Sequence, residues 1–220
     1  MGQEYRIKAV LFDMDGTLID TEKYFRRAWP EAAARFGYHM TDEQALNMRS
    51  LGQPFQPEYL RSLFGQDYKA AEVKAVRKEI MEEYLKDDGL QAKEGTEACL
   101  QMLKAHGVLL AVATSSDLER TNRYLARLDL KKYFDRLISA VEVKQGKPAP
   151  DIYLYACDAL GLRPEECIAV EDSPNGVKSA YRAGLRTIMV PDQEAPDEET
   201  RSMLFACLDK LSDFTEELLL

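Results

Sequence analysis

The sequence predicts an α/β protein in which a parallel β-sheet lies between two layers of helices, with an all-helical domain inserted after the first strand. Short apolar runs of strand length alternate with amphipathic segments of helix length over most of the chain, which is typical of parallel sheets with right-handed crossovers. Glycines follow several of the amphipathic segments, at positions where helices commonly end. Residues 22–88 show helical periodicity without a strand signal.

The first predicted strand comprises residues 7–12, an apolar run that stops at the segment Asp13-Met14-Asp15-Gly16. Open α/β sheets bind ligands at the carboxyl ends of their strands, so acidic residues at this point suggest a site. Two carboxylates at this spacing suit either a hard cation or a nucleophile beside a proton-transfer group. A solvated turn is the alternative, because Asp and Gly are common in turns.

The inserted segment is predicted to form four helices. The first ends at Gly37, and Thr41 or Asp42 can cap the second. The four helices are expected over residues 25–36, 42–48, 57–64 and 68–85. Because this segment interrupts the α/β pattern, we expect the helical domain at 21–89 and the α/β core at 1–20 and 90–220.

From residue 95 the alternation of strands and helices resumes. Four further strands are predicted over residues 108–113, 137–141, 167–170 and 186–190, with helices over 95–106, 117–128, 151–160 and 174–183. Thr114 and Ser115 directly follow one of these strands, and Glu171 and Asp172 follow another. Parallel strands end at the same edge of a sheet, so we expect these side chains, with Lys147 from a loop on that side, to line one crevice.

Composition and charge argue against several kinds of partner. The formal net charge is −9, and residues 192–220 contribute −7 of it, since nine acidic residues there face only Arg201 and Lys210. A nucleic-acid-binding face needs clustered basic residues, and the sequence contains no such cluster. No apolar run is long enough to span a membrane and no signal segment is recognised, so we expect a cytoplasmic protein.

The cysteines and histidines argue against two further kinds of site. Cys99, Cys157, Cys167 and Cys207 are scattered, without C-x-x-C pairing or a nearby His, and are expected to be small buried side chains rather than zinc ligands. Neither histidine accompanies a Ser or Cys in a nucleophile-elbow context, which disfavours Ser-His-Asp hydrolysis. The G-x-x-x-x-G-K-[ST] loop of P-loop kinases is also absent from the sequence.

Four motifs resemble, in order, those of the haloacid dehalogenase-like hydrolase superfamily, in its branch of β-phosphoglucomutase-like enzymes and sugar phosphatases. They are Asp13-Met14-Asp15-Gly16-Thr17, Thr114-Ser115-Ser116, Gly146-Lys147-Pro148-Ala149-Pro150-Asp151 and Glu171-Asp172-Ser173-Pro174-Asn175-Gly176. The resemblance extends to about Pro191. It implies a Rossmann-like core, with residues 21–89 as the cap domain of that branch.

The resemblance also implies catalytic roles. Asp13 would be the nucleophile that forms an aspartyl-phosphate, and Asp15 would protonate the leaving oxygen and later activate water. Mg²⁺ is the implied cofactor, held by Asp13, the backbone carbonyl of Asp15 and Asp172, with Glu171 in support. Mg²⁺ prefers oxygen ligands, and a local cation would offset the repulsion between an acidic protein and a phosphorylated substrate.

Phosphate binding and substrate selection follow from the same resemblance. Thr114 and Ser115 would contact the phosphoryl oxygens, and Lys147 would offset charge on both the nucleophile and the phosphate. Arg49 lies in a loop of the cap and either touches substrate or is a solvated charge at a helix end. The expected partner is a small phosphorylated metabolite, a sugar phosphate, and the expected assembly is a monomer or weak homodimer.

Several reactions remain to be distinguished. A dehalogenase would need neither a metal nor a second acid, so Asp15 and Asp172 favour phosphoryl chemistry. The β-phosphoglucomutases of this branch carry a cap histidine where Phe25 stands here, when aligned on Asp13 and Asp15, and a phenyl ring cannot relay a proton. We therefore predict a phosphatase, with a sugar-phosphate mutase as the alternative and a binding protein without turnover as the third possibility.

Overall fold

In the computed structural model, which describes residues 6–87 and 89–220, six parallel strands form a single sheet. The strands are β1 (Ala9–Phe12), β2 (Leu109–Thr114), β3 (Arg136–Ser139), β4 (Cys167–Glu171), β5 (Arg186–Met189) and β6 (Ala206–Cys207). Their order across the sheet is β3-β2-β1-β4-β5-β6, and every neighbouring pair is parallel. The predicted parallel α/β sheet is confirmed, with β1 at its interior.

Different helices cover the two faces of the sheet. Along β1, Val10 and Phe12 join the apolar core on one face, together with Leu100 of the helix before β2. Ala9 and Leu11 join the core on the opposite face. Side chains alternate across a strand, and both faces are buried, which is why the strands are continuous apolar runs in the sequence.

The helices fall into two groups. Four lie between β1 and the return of the chain to the sheet: α1 (Glu22–Ala34), α2 (Asp42–Leu46), α3 (Phe55–Phe64) and α4 (Ala70–Asp87). The others flank the sheet: α5 (Thr96–Ala105), α6 (Leu118–Arg127), α7 (Asp151–Leu160), α8 (Pro174–Arg182) and α9 (Glu198–Ser202). The first group occupies the segment predicted as the cap, and within it α1 packs against α4.

The two linkers of the cap lie side by side. The backbone nitrogen of Asp20 donates to the Gln91 carbonyl at 3.0 Å, and that of Lys93 donates to the Leu18 carbonyl at 2.9 Å. The cap is therefore attached at one place, where both chain segments leave the core. No helix in the described part of the chain is long and apolar enough to cross a membrane.

The structure differs from the sequence prediction in several details, and helix α9 is one element that was not predicted. Strand β6 was not predicted, because its two residues are too short to show a periodic pattern. The strand predicted over 137–141 ends at Ser139, whose hydroxyl accepts from the Val141 nitrogen and starts a short 3₁₀ turn. Cys207 is exposed rather than buried, since it lies on the edge strand, whereas the other three cysteines are buried as expected.

Candidate active site

The carboxyl ends of β1, β2 and β4 meet at one edge of the sheet. Phe12 of β1 pairs in register with Val112 of β2 and with Val170 of β4, so the residues that follow these strands emerge together. Asp13 and Asp172 are both buried at this edge. Buried carboxylates need hydrogen bonds or compensating charge, and the surrounding side chains supply part of both.

Lys147 supplies positive charge at this edge. Its Nζ donates to Asp13 Oδ1 at 2.5 Å, to Glu171 Oε1 at 2.6 Å and to the Ala113 carbonyl at 2.9 Å. The side chain is fully buried. Burial alone lowers the pKa of Lys147, but attraction to the two carboxylates outweighs burial and raises this pKa above its usual value. Lys147 is therefore a permanent cation within the site.

Asp13, Glu171 and Asp172 form an acidic cluster whose donor atoms suit a metal ion. One carboxylate oxygen from each residue lies within 4.8 Å of the others. Asp172 Oδ2 is buried and has no hydrogen-bond partner, which is costly unless a ligand satisfies it. Oxygen donors of this kind are those that Mg²⁺ prefers. The three side chains therefore fit a divalent cation.

The pKa values of the cluster point to an excess of negative charge. Burial raises the pKa of Asp13 to about 7 although Lys147 attracts its charged form, and neighbouring carboxylates add repulsion. Burial also raises the pKa of Asp172 well above its ordinary value, with repulsion from Glu22 as the next cause. One lysine does not balance these carboxylates, so a bound cation would favour their ionised forms.

Asp15 belongs to a separate polar network beside the cluster. Its Oδ1 accepts a hydrogen bond from Thr21 Oγ1 at 2.5 Å and forms an ion pair with Arg120, and its Oδ2 accepts from Ser116 Oγ at 2.8 Å. These donors hold the carboxylate in one orientation. The metal contact implied for Asp15 uses its backbone carbonyl and remains a prediction.

Thr114 and Ser115 differ in their surroundings at the end of β2. Thr114 is buried, and its Oγ1 accepts from the Ser116 backbone nitrogen at 3.1 Å. Ser115 is exposed, and its Oγ donates to the Ser50 carbonyl of the cap at 3.0 Å. A phosphate contact through the Ser115 hydroxyl would require it to release Ser50.

Arg49 is buried, so it is not the solvated charge at a helix end that was one of its two predicted roles. Its side chain is 4% exposed, and its Nη2 lies 2.5 Å from Oε1 of Glu194 in the core domain. Nη1 of Arg49 is buried without a hydrogen-bond partner. A contact between Arg49 and substrate therefore remains a prediction.

A cavity of about 630 Å³ separates the cap from this edge of the sheet. Such a volume is typical of sites for small metabolites. Core and cap both line it, with Asp13, Asp15 and Thr114 from the core and Phe25, Arg49 and Arg77 from the cap. The predicted nucleophile and acid therefore share one cavity with cap residues.

Glu22, Arg77 and Arg120 are among the charged residues that line this cavity, and none of the three was predicted as a site residue. The guanidinium carbons of Arg77 and Arg120 lie 4.8 and 4.6 Å from the centre of the Phe25 ring, as in cation–π contacts. Glu22 at the start of α1 is buried, and burial raises its pKa well above the ordinary value. An isolated charge on an amphipathic helix is normally solvated, so only the position of Glu22, five residues after the first motif, gave a signal.

Comparison with known proteins identifies a family. A family model of haloacid dehalogenase-like hydrolases matches residues 7–184, which include β1 to β4. A phosphorylated carbohydrates phosphatase of Thermotoga maritima is 35% identical over 188 residues, which cover 83% of this chain and 84% of that protein. Hexitol phosphatase A of Escherichia coli is 34% identical over 187 residues, which cover 84% of this chain and 83% of that protein.

Solved structures share the fold across nearly the whole chain. CbbY from Rhodobacter sphaeroides in complex with phosphate aligns with a TM-score of 0.77 and 30% identity, covering 94% of this chain and 96% of that one. A β-phosphoglucomutase from Clostridium difficile aligns with a TM-score of 0.78, and the alignment covers 97% of this chain and 95% of that one. Its identity is 20%, so this second likeness concerns the fold alone.

Proposed function

The chain belongs to the haloacid dehalogenase-like hydrolases as a phosphoric monoester phosphatase, and from this premise we propose that it hydrolyses a small sugar phosphate. We further propose that the reaction depends on Mg²⁺ and proceeds through an aspartyl-phosphate on Asp13. The observation that best supports the proposal is the buried Asp13 carboxylate, which accepts a hydrogen bond from Lys147, belongs to the acidic cluster and lines a cavity of metabolite size.

In the first step Asp13 attacks the phosphorus atom, and the bond between phosphorus and the sugar oxygen breaks. Asp15, in its protonated form, gives its proton to that oxygen as the alcohol departs. In the second step a water attacks the aspartyl-phosphate, Asp15 accepts the proton of the water, and inorganic phosphate leaves with Asp13 restored. A carboxylate nucleophile divides a difficult displacement into two easier ones, and a positioned acid–base contributes about 10²–10⁴-fold.

The remaining site residues position the phosphoryl group and stabilise its charge. Lys147 is held near Asp13 and would offset negative charge that develops on the phosphoryl oxygens, and Thr114 would donate to them. Asp13, Glu171 and Asp172 would hold Mg²⁺, which supplies further positive charge when bound. Because a cation favours ionised carboxylates, it also supports the nucleophilic form of Asp13.

A sugar-phosphate mutase is the alternative function. A mutase must return the phosphoryl group to a second hydroxyl of the sugar, and its cap histidine serves as a proton relay in the family. Here Phe25 occupies that position, and its ring lies within cation–π distance of both Arg77 and Arg120. Relatives named as carbohydrate and hexitol phosphatases, at 35% and 34% identity, add support for hydrolysis.

The proposal is tested by measuring phosphate release from a panel of sugar phosphates, with Mg²⁺ and with a chelator. The panel includes β-glucose 1-phosphate, with formation of glucose 6-phosphate followed in parallel. We expect metal-dependent release of phosphate without isomerised product. Isomerised product without net release of phosphate would establish the mutase. Absence of both phosphate release and isomerised product would favour a binding protein.

Asp13→Asn tests the assignment of the nucleophile. The amide cannot form an aspartyl-phosphate, so we expect turnover to be lost while the circular dichroism spectrum and the unfolding midpoint in urea remain those of a folded protein. Turnover at the wild-type rate would exclude Asp13 as the nucleophile.

A further inference from the structure

The loop between α2 and α3, residues 47–53, is called the cap loop below. It meets the core at the loops that carry the proposed chemistry. Ser115 Oγ donates to the Ser50 carbonyl at 3.0 Å, and Asn175 Nδ2 donates to the Arg49 carbonyl at 2.9 Å. Ser115 and Asn175 thus contact the cap loop through its backbone, whereas Glu194 of the core domain contacts it through the side chain of Arg49.

A third contact joins the two backbones directly. The Gly52 nitrogen donates to the Lys147 carbonyl at 2.9 Å, and the Gly146 nitrogen donates to the Gln53 carbonyl at 2.6 Å. In the described part of the chain, these are the hydrogen bonds that link cap backbone to core backbone away from the two linkers. We call this pair the glycine seam.

The glycine seam requires glycine on both sides because the chains approach so closely. A Cβ on Gly52 would lie 2.7 Å from the Cα of Gly146, and a Cβ on Gly146 would lie 2.7 Å from the Cα of Gly52. Both are backbone contacts, so no side-chain rotation can relieve them. Neither glycine has a positive φ, and proximity alone explains the requirement.

The seam and the active site share one residue. Lys147 accepts from the cap through its carbonyl while its Nζ donates to Asp13. A displacement of the cap loop would break both hydrogen bonds at once, so the Gly146 nitrogen and the Lys147 carbonyl would each lose its hydrogen-bond partner. We propose that Gly52 is a positioning residue, which places the Lys147 ammonium through the glycine seam when the cap is docked. This inference rests on the proposed function for the role of Lys147.

The kinetic test uses Gly52→Ala, with Asn175→Ala as the matched control that removes a side-chain contact to the same loop. Each is assayed on the best sugar phosphate of the panel and on acetyl phosphate, which has no sugar. Because Lys147 acts on every phosphoryl group, we expect Gly52→Ala to lower kcat about 10–100-fold on both substrates, with KM nearly unchanged. Asn175→Ala should change kcat less than about threefold, since it leaves the seam intact.

Three results would overturn the proposal. They are an unchanged kcat in Gly52→Ala, an effect confined to KM for the sugar phosphate, and an equal loss in Asn175→Ala. The second result would mean that Gly52 only shapes the sugar pocket. The third would mean that any loosening of the cap has the same consequence.

Amide hydrogen exchange in the wild-type protein tests the seam without a substitution that could prevent folding. One opening event should expose the amides of Gly52 and Gly146, so their protection factors should agree within about threefold. Exchange of one amide orders of magnitude faster than the other would show that the two hydrogen bonds are not one unit. If no phosphate ester is hydrolysed, the proposed function is wrong. The exchange measurement still shows whether the two hydrogen bonds of the glycine seam open as one unit.

Discussion

Lys147 is a fully buried site residue whose ammonium group donates three hydrogen bonds. Its ammonium lies between Asp13 and Glu171, and Glu171 Oε1 also accepts from Tyr153 Oη at 2.6 Å. Removal of one member of a buried ion pair leaves the other charge without compensation in a medium of low dielectric constant. The residue is therefore expected to matter for folding as well as for turnover.

We predict that Lys147→Met lowers kcat on the order of 10²–10³-fold, as loss of one group that stabilises transition-state charge does. At neutral pH it should also lower the free energy of unfolding by about 3–5 kcal/mol, because two buried carboxylates lose their cation. Steady-state assays and urea unfolding measure the two effects. Lys178→Met is the control, since its pair with Glu199 is partly solvated and worth less than about 1 kcal/mol. Equal destabilisation by both variants would contradict the prediction.

At the scale of elements, α6 shows how one helix positions part of the site. Asp117 is the N-cap of α6, and its side chain accepts from the Arg120 nitrogen at 2.8 Å. The guanidinium group of Arg120, one turn into the helix, pairs with Asp15 and donates to Ser116 Oγ at 2.7 Å. The start of α6 therefore determines where the donors to Asp15 lie.

We predict that Asp117→Ala lowers the free energy of unfolding by about 1 kcal/mol through loss of the cap. Asp117→Asn should retain most of that stability, because Asn is an equally good N-cap. Urea unfolding of both variants provides the measurement. If Asp117→Asn were as unstable as Asp117→Ala, the contribution would come from the exposed ion pair with Lys78 and not from the helix cap.

For the whole molecule, the acidic cluster couples unfolding to pH and to metal. Burial raises the pKa of Asp13 to about 7, so its proton is bound more tightly in the folded state than in the unfolded state. The stability that this group contributes is complete below its unfolded pKa of about 4 and is lost as pH rises through about 7. The raised pKa values of Asp172 and Glu22 act in the same direction.

We therefore predict that, in a chelator, the urea midpoint falls between about pH 5 and about pH 8. Saturating Mg²⁺ should reduce this fall, because it binds the ionised carboxylates of the folded state. Asp13→Asn should make the fall in chelator shallower, since the amide does not titrate. A midpoint that rises with pH in chelator would contradict the electrostatics described here.

Local patterns in the sequence were sufficient for the strands and for the set of motifs at their ends. Strands β1, β2 and β4 carry no polar residue before their last positions, and parallel pairing then brings their carboxyl ends together. The helical insert was recognisable because its periodicity changes directly after Thr21. Strand β6 gave no pattern, because two residues on a sheet edge need no apolar run.

Contacts between distant residues were decided by the tertiary structure alone. The sequence left open whether Arg49 touches substrate or is a solvated charge, and only the tertiary structure brings it to Glu194, 145 residues away. Arg120 reaches Asp15 across 105 positions, and Gly52 reaches Lys147 only where the cap loop lies against the core.

By itself, the sequence determined which side chains lie at the ends of the strands, and the resemblance of its motifs suggested the family. The tertiary structure decided which of these side chains share charges and hydrogen bonds, and how the cap is joined to Lys147. The physical reason is that periodicity reports the burial of each segment on its own, whereas pairing and close backbone approach depend on how separate segments pack.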